Sequence, residues 1–128
     1  MAAARGHELL CDQPHENGGG DGGMTPPELM LASLGTCAGY YALQYLKARK
    51  LPEAGLSVRV EAEKASAPAR LGKFRIELTT PVLEARHEEG LLRAVRSCLI
   101  HNTLHERPEV ETAVRMAGAP VAEDTIKV

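Results

Sequence analysis

The stretch TPPELMLASLGTCAGYYALQYLKARK, residues 25–50, predicts one long helix with a well-defined start. Thr25 is suited to cap the first free backbone N–H groups, and Glu28, three residues later, completes a capping box. The two prolines after Thr25 fall in the first turn, where a missing N–H costs nothing. No charged residue then occurs until Lys47. The stretch therefore predicts a single helix of unusually apolar character.

Apolar residues of this helix point in nearly every direction, since successive residues advance by about 100° around the axis. They are Leu29, Met30, Leu31, Leu34, Cys37, Tyr40, Tyr41, Leu43 and Leu46. A helix that is apolar all round is buried all round, and a chain of 128 residues can hardly enclose it alone. We therefore expect the helix to lie at the centre of a homodimer. Cys37, halfway along it, is the residue that points most directly to chemistry.

The composition is that of an ordinary water-soluble protein, with 44% hydrophobic and 25% charged residues. Its length predicts one domain spanning residues 1–128. The net charge of −2 gives no reason to expect nucleic acid or an anionic membrane as a partner. No apolar run approaches the roughly 18–20 residues of a membrane-spanning helix, and MAAARGHELL at the N-terminus lacks the apolar core of a signal peptide. The expected location is the cytoplasm.

The rest of the chain predicts an α+β domain with an antiparallel sheet packed on the long central helix. A Gly-rich loop at 13–24 precedes the helix, without the Gly-Lys-Ser/Thr or G-x-G-x-x-G pattern of a phosphate site, so a plain flexible loop is favoured. Apolar periodicity predicts the order β-α-ββ-α-β. The remaining elements are a short strand at 6–12, a hairpin of strands 55–64 and 72–80 with a turn at 65–71, a helix at about 84–97, a short helical turn from 98, and a third strand at 109–116.

Two cysteines, Cys37 and Cys98, fall on predicted helices that both face the core. Three cysteines at wide spacing do not form a disulfide scaffold. A pair of thiols suits the reduction of a peroxide: one thiolate attacks the O–O bond, and the second condenses with the resulting sulfenic acid. The alternative is that both are small buried hydrophobes, as free cysteines commonly are. Spacing alone leaves both interpretations open, whereas Cys11 has no apparent role.

A metal site is the less favoured alternative for the second cysteine. Cys98, His101 and His105 have spacings that zinc can use. A fourth ligand would have to come from elsewhere in the chain, and the sequence contains no Cys-x-x-Cys. Solvent-exposed histidines are therefore favoured over a metal centre.

Two segments, GGGDGGMTPPELMLASLGTC (18–37) and CLIHNTL (98–104), resemble the motifs of the OsmC/Ohr family of osmotically inducible and organic hydroperoxide resistance proteins. The resemblance is stronger to the OsmC-like branch and extends over most of the chain. It implies an OsmC-like fold, with an intertwined homodimer whose central helices lie between two sheets. It also implies a thiol-dependent peroxidase that reduces organic hydroperoxides in oxidative stress defence, with electrons from a small dithiol and with no metal or flavin. By this resemblance Cys37 is the peroxidatic nucleophile and Cys98 the resolving residue.

The resemblance further implies an arginine that activates the cysteine and a glutamate that holds it. Arg5 and Glu28 are the matching candidates. Glu28, however, precedes Cys37 by nine residues, which places it on the opposite helix face with a rise of roughly 13 Å. Glu28 is therefore either part of the site or only the capping-box residue. Leu99 and Ile100 also replace the usual Pro-Val. A non-catalytic dimeric module that binds an apolar or electrophilic small molecule remains the alternative function.

Overall fold

A computed structural model describes residues 1–114 and 116, and the chain divides into two compact units. Unit 1 comprises Met1–Pro26 and the described residues that follow Pro108. Unit 2 comprises Pro27–Pro108. Within the described residues, no helix is long and apolar enough to cross a membrane.

Unit 1 begins with an antiparallel pair of short strands, β1 (Ala2–Ala4) and β2 (His7–Leu9), in which Ala2 faces Leu9. The turn between them, Arg5 and Gly6, has positive φ angles of 50° and 79°, the combination that matches the twist of a tight hairpin. The predicted strand at 6–12 is therefore β2, shorter than expected. Its partner β1 escapes sequence analysis because three alanines carry no alternating pattern.

The Gly-rich segment is organised by one carboxylate, that of Asp12. Its Oδ1 accepts the N–H of Gln13 at 2.8 Å, and its Oδ2 accepts the N–H groups of Gly20 and Gly22, each at 3.0 Å. These hydrogen bonds, led by that of Gly22, hold the pKa of Asp12 below its usual value. The segment also contains a 3₁₀ turn at His15–Asn17. It is more ordered than the plain loop that its composition predicts.

The predicted third strand at 109–116 is wrong for the residues that the structure describes. Residues 109–114 and 116 have no regular secondary structure. Val110, Val114 and Met116, the apolar half of the alternating pattern, are 80–85% exposed. Alternation predicts a strand only where a ladder partner and a surface to cover are present, and one described chain offers neither.

Unit 2 is built on α1 (Pro26–Ala48), which confirms the long helix predicted from residues 25–50. In the single chain its buried residues form one stripe at a spacing of four: Leu34, Ala38, Ala42 and Leu46. The rest of its apolar surface is half-buried or exposed; Tyr40 is 59% exposed. Burial on all sides therefore stays a prediction about a dimer.

Strands β3 (Ser57–Ser66) and β4 (Ala69–Thr79) form the predicted antiparallel hairpin. The pairing continues to Ser66 and Ala69, so the turn is much shorter than the predicted 65–71. An irregularity after Glu63 gives β4 one extra residue, and the alternation of burial is interrupted there on both strands. Inward apolar and outward charged residues alternate as the sequence predicts. On the outer face the register places opposite charges across the strands: Arg59 opposite Glu77, Glu61 opposite Arg75 and Glu63 opposite Lys73. Of these, Glu63 and Lys73 form an ion pair at 2.7 Å, whereas Arg59 pairs with Glu61 on its own strand.

The second predicted helix is divided in two. A 3₁₀ turn at Ala85–His87 leads into α2 (Glu88–Arg96). The predicted helical turn from residue 98 is α3 (Leu99–His105). The described elements thus follow the order ββ-α-ββ-α-α, with two antiparallel sheets instead of one.

The core of unit 2 lies where α1, α2 and the inner face of the hairpin meet. Its buried residues are Ala38, Ala42, Leu46, Leu91 and Val95. Small residues of α1 permit the close approach: a Cβ added at Gly35 would lie 3.1 Å from the side chain of Val60 on β3. This packing fixes the position of α1, which contains Cys37, and of α2, which ends just before Cys98.

Candidate functional site

The structure brings Cys37 and Cys98 together. Cys37 lies halfway along α1 and is half-buried, whereas Cys98 lies between α2 and α3 and is fully buried. Both are free thiols. Cys98 is the residue that caps α3, with extended backbone angles, and its N–H donates to Val95 O at 3.0 Å. The end of α2 therefore fixes the position of Cys98 beside α1.

The Cys37 side chain is a neighbour of the Cys98 thiol and affects its ionisation. Burial raises the pKa of the Cys98 thiol above its ordinary value of 9.0, and the neighbouring Cys37 side chain raises that pKa further. The backbone N–H groups of His101 and Ile100 oppose the rise without cancelling it.

A polar clamp beside the core holds α1 against the start of α2. The Tyr45 hydroxyl and His87 Nδ1 are 3.2 Å apart and share a hydrogen bond, and the Arg49 guanidinium lies 3.8 Å from the centre of the Tyr45 ring. A Cβ at Gly90 would overlap the Tyr45 hydroxyl. Sequence analysis missed this clamp; the signal available was Gly90, an unfavourable residue in a helix.

The structure does not assign a role to either proposed activating residue. Glu28 is exposed in the first turn of α1, nine residues before Cys37 on the same helix. Arg5 lies in the β1–β2 turn of unit 1 and is exposed. Cys11, also in unit 1, is half-buried and pairs with Met24 in an isolated parallel bridge. The roles of Arg5 and Glu28 stay predictions.

His101 and His105 lie one helical turn apart on α3, and their rings are stacked with centroids 6.3 Å apart. His101 Nδ1 is buried, and the described residues give it no hydrogen-bond partner. No group of three potential metal ligands occurs within the described part of the chain. Both rings instead line a cavity of about 400 Å³ between β4, α2 and α3, which sequence analysis did not foresee.

The chain matches the model of a known protein family. This model, described as OsmC-like protein, matches residues 18–113. The chain belongs to the OsmC family. A search of curated protein sequences gave no significant match. The match covers Cys37, Cys98 and the entire segment that connects them.

Two solved structures share the fold. One is an osmotic stress induced and detoxification response protein from Psychrobacter arcticus 273-4. It is 20% identical, with a TM-score of 0.69, and the alignment covers 76% of this chain and 72% of that one. The other is an organic hydroperoxide resistance protein OsmC from Legionella pneumophila, 20% identical, with a TM-score of 0.54 and coverage of 77% and 74%. At this identity the likeness supports the α+β OsmC fold and no more.

Proposed function

We propose that this OsmC-family chain is a thiol-dependent peroxidase that reduces organic hydroperoxides, with Cys37 as the attacking residue and Cys98 as the resolving residue. The observation that carries the proposal is that the buried Cys98 thiol has the Cys37 side chain as its neighbour. A disulfide between them would bring the two sulfur atoms to about 2.05 Å. The hydroperoxide resistance protein that shares the fold is consistent with the proposal.

The first step is attack of the Cys37 thiolate on the distal oxygen of the hydroperoxide. The O–O bond breaks, an S–O bond forms, and the alkoxide takes a proton to leave as an alcohol. Cys37 is thereby oxidised to a sulfenic acid. In the second step the Cys98 sulfur attacks the Cys37 sulfur, and the hydroxyl group leaves as water with the proton of Cys98. An external dithiol reduces the disulfide by thiol exchange, which completes the cycle without a metal or flavin.

The raised pKa of Cys98 supports this division of roles. At neutral pH a thiol with a raised pKa is protonated, so Cys98 is suited to donate a hydrogen bond and poorly suited to attack a peroxide. Arg5 and Glu28 remain our candidates for activation of Cys37, through an arginine held near the thiolate by a carboxylate.

The proposal includes a homodimer in the cytoplasm, where thiols stay reduced. Its support is the apolar surface of α1 that the single chain leaves uncovered: Met30 is 39% and Tyr40 59% exposed. A second copy packed on this surface would bury it. Sedimentation at micromolar concentration is expected to give a dimer; a stable monomer would remove this part of the proposal.

The decisive experiment treats the reduced protein with one equivalent of an organic hydroperoxide and measures its mass. Wild type is expected to lose two hydrogens and to yield a peptide pair linked through Cys37 and Cys98. Cys98→Ser is expected to stop at a sulfenic acid that a dimedone probe traps, and Cys37→Ser to stay unoxidised at Cys98. Cys11→Ser is the matched control and should behave as wild type. Peroxide consumption by Cys37→Ser at the wild-type rate would disprove the assignment.

The alternative function is a non-catalytic dimeric module that binds an apolar or electrophilic small molecule. It has the same fold, and the apolar wall of the cavity beside α3 favours it. The two functions differ in the reactivity of Cys37. Slow alkylation of Cys37 at neutral pH, at or below the rate of an unfolded peptide thiol, would favour the binding module.

A further inference from the structure

We propose that the cavity bounded by β4, α2 and α3 binds an amphipathic organic anion, with an apolar body and one negatively charged head group. Its volume of about 400 Å³ falls within the range of small-molecule sites. All of its lining residues belong to unit 2. The proposal goes beyond the thiol chemistry and does not depend on it.

The lining of the cavity is mainly apolar and comes from four elements. β4 supplies three inward side chains, α2 and α3 supply one face each, and α1 contributes one buried leucine. The main apolar lining residues are Leu34, Phe74, Ile76, Leu78, Val95 and Leu104. Phe74 is the only phenylalanine of the chain. A wall of this kind favours a hydrocarbon or aromatic body, since it gains from removing apolar surface from water.

The charged residues at this cavity, Lys73 and Arg96, are both basic, although the chain carries a net charge of −2. Two histidines, His101 and His105, also line it. Lys73 pairs with Glu63 at 2.7 Å, and His105 lies 3.7 Å from Glu106. Among the described residues no ion pair engages Arg96, which is exposed at the end of α2. Arg96 is therefore the cation available to a ligand, and its planar guanidinium is suited to a carboxylate.

His101 adds a second polar group to the lining of the cavity. Its Nδ1 is buried and has no hydrogen-bond partner among the described residues. One guanidinium and one imidazole beside an apolar lining match the few well-placed polar groups of a small-molecule site. This arrangement fits one anionic head group better than a wholly apolar molecule.

A neighbouring cavity of about 460 Å³ provides an internal comparison. It shares Ile76, Leu78 and Leu92 with the first, but its charged lining residues are all acidic: Glu77, Glu84 and Glu88. The two cavities offer similar apolar surface and opposite charge. An anion is therefore directed to the basic cavity by electrostatics and not by hydrophobicity alone.

The test measures binding of octanoate to the reduced protein by calorimetry, with NMR of the methyl groups to locate it, in the absence of any peroxide. Octanoate is expected to saturate one site and to shift the signals of Val95 and Leu104. Octan-1-ol, with a chain of the same length and no charge, is expected to bind at least about tenfold more weakly, as is octanoate to Arg96→Gln. Arg96 is exposed, so the variant should fold as wild type does, which circular dichroism checks.

The matched control is Arg93→Gln. Arg93 lies on the same helix three residues earlier, pairs with Glu89 at 2.7 Å and does not line the cavity, so octanoate should bind this variant as it binds wild type. Equal affinity for octanol and octanoate would overturn the proposal, as would an equal loss in Arg93→Gln. Absence of saturable binding, or shifts centred on the acidic cavity, would overturn it too. Failure of the peroxidase experiment would leave each of these outcomes unchanged.

Discussion

Replacing Gly90 with alanine is expected to destabilise the protein, although alanine is the better helix former. Gly90 lies in the first turn of α2, and its missing side chain leaves room for the Tyr45 hydroxyl. The new Cβ would force Tyr45 out of its position. That movement would break the hydrogen bond to His87, which joins α1 to the start of α2, and the contact with Arg49 at the end of α1.

The opposing effects decide the sign. Gaining alanine in a helix stabilises by at most about 1 kcal/mol. Losing the Tyr–His hydrogen bond costs about 0.5–1.5 kcal/mol, and losing the cation–π contact about 0.5–1 kcal/mol. Together these losses, about 1–2.5 kcal/mol, equal or exceed the gain, and overpacking adds about 1–3 kcal/mol of destabilisation. We expect a net destabilisation of at least about 1 kcal/mol. Because α2 ends just before Cys98, formation of the Cys37–Cys98 disulfide should also slow.

Chemical denaturation of a double-mutant cycle measures this effect. In a Tyr45→Leu background the overlap is absent, and Gly90→Ala should become neutral or stabilising. The coupling free energy between the two positions should then exceed about 1 kcal/mol in magnitude. Equal destabilisation by Gly90→Ala in both backgrounds would show that Tyr45 is not the reason for the glycine.

Two further predictions concern pH and the Gly-rich segment. Since burial raises the pKa of Cys98, the folded state holds the thiol proton more tightly than the unfolded state does. The resulting stability is present below the ordinary value of 9.0 and is lost as pH rises through the folded pKa. Denaturation under reducing conditions should therefore show a steeper loss of stability above that pH in wild type than in Cys98→Ala, and parallel curves would contradict a raised pKa at Cys98. Asp12→Ala should speed hydrogen exchange at the Gly20 and Gly22 amides, which donate to the Asp12 carboxylate, whereas the control Glu16→Ala should not. In wild type the same protection of these amides should be lost as pH falls below about 3.8, through the lowered pKa of Asp12. Unchanged exchange in Asp12→Ala would show that the carboxylate does not order the segment.

Sequence patterns predicted the elements that contribute to a core within one chain. The helical segment of α1 and the alternation on β3 and β4 were predicted correctly, and each of these elements packs on the core of unit 2. The same reasoning failed at 109–114, where alternation is present but nothing in the described chain covers the apolar side chains. Periodicity reports a potential face and does not report whether a partner surface exists.

The candidate site was predictable in part for a similar reason. Two cysteines on core-facing helices suggested that the thiols meet, and the family motif supplied their proposed roles. Three-dimensional contacts without any local pattern were not foreseen. The basic cavity combines Lys73 of β4 with Arg96 of α2 and two histidines of α3, and β4 is well separated in sequence from these two helices. The Tyr45–His87 hydrogen bond likewise joins residues 42 positions apart.

The opposite charges on the outer face of β3 and β4 also oppose pairing of the two strands in a shifted register. In the native pairing Arg59 faces Glu77, and Glu61 faces Arg75. A shift of two residues would keep the apolar side chains on the inner face, so the core alone opposes such an error weakly. In one direction, however, the shift places Arg59 opposite Arg75; in the other it places Glu61 opposite Glu77. Each shift also leaves only one opposite-charge pair, Glu61 with Lys73 or Glu63 with Arg75, in place of the native three. Because like charges directly opposite are destabilising, the surface residues favour the native pairing over both errors.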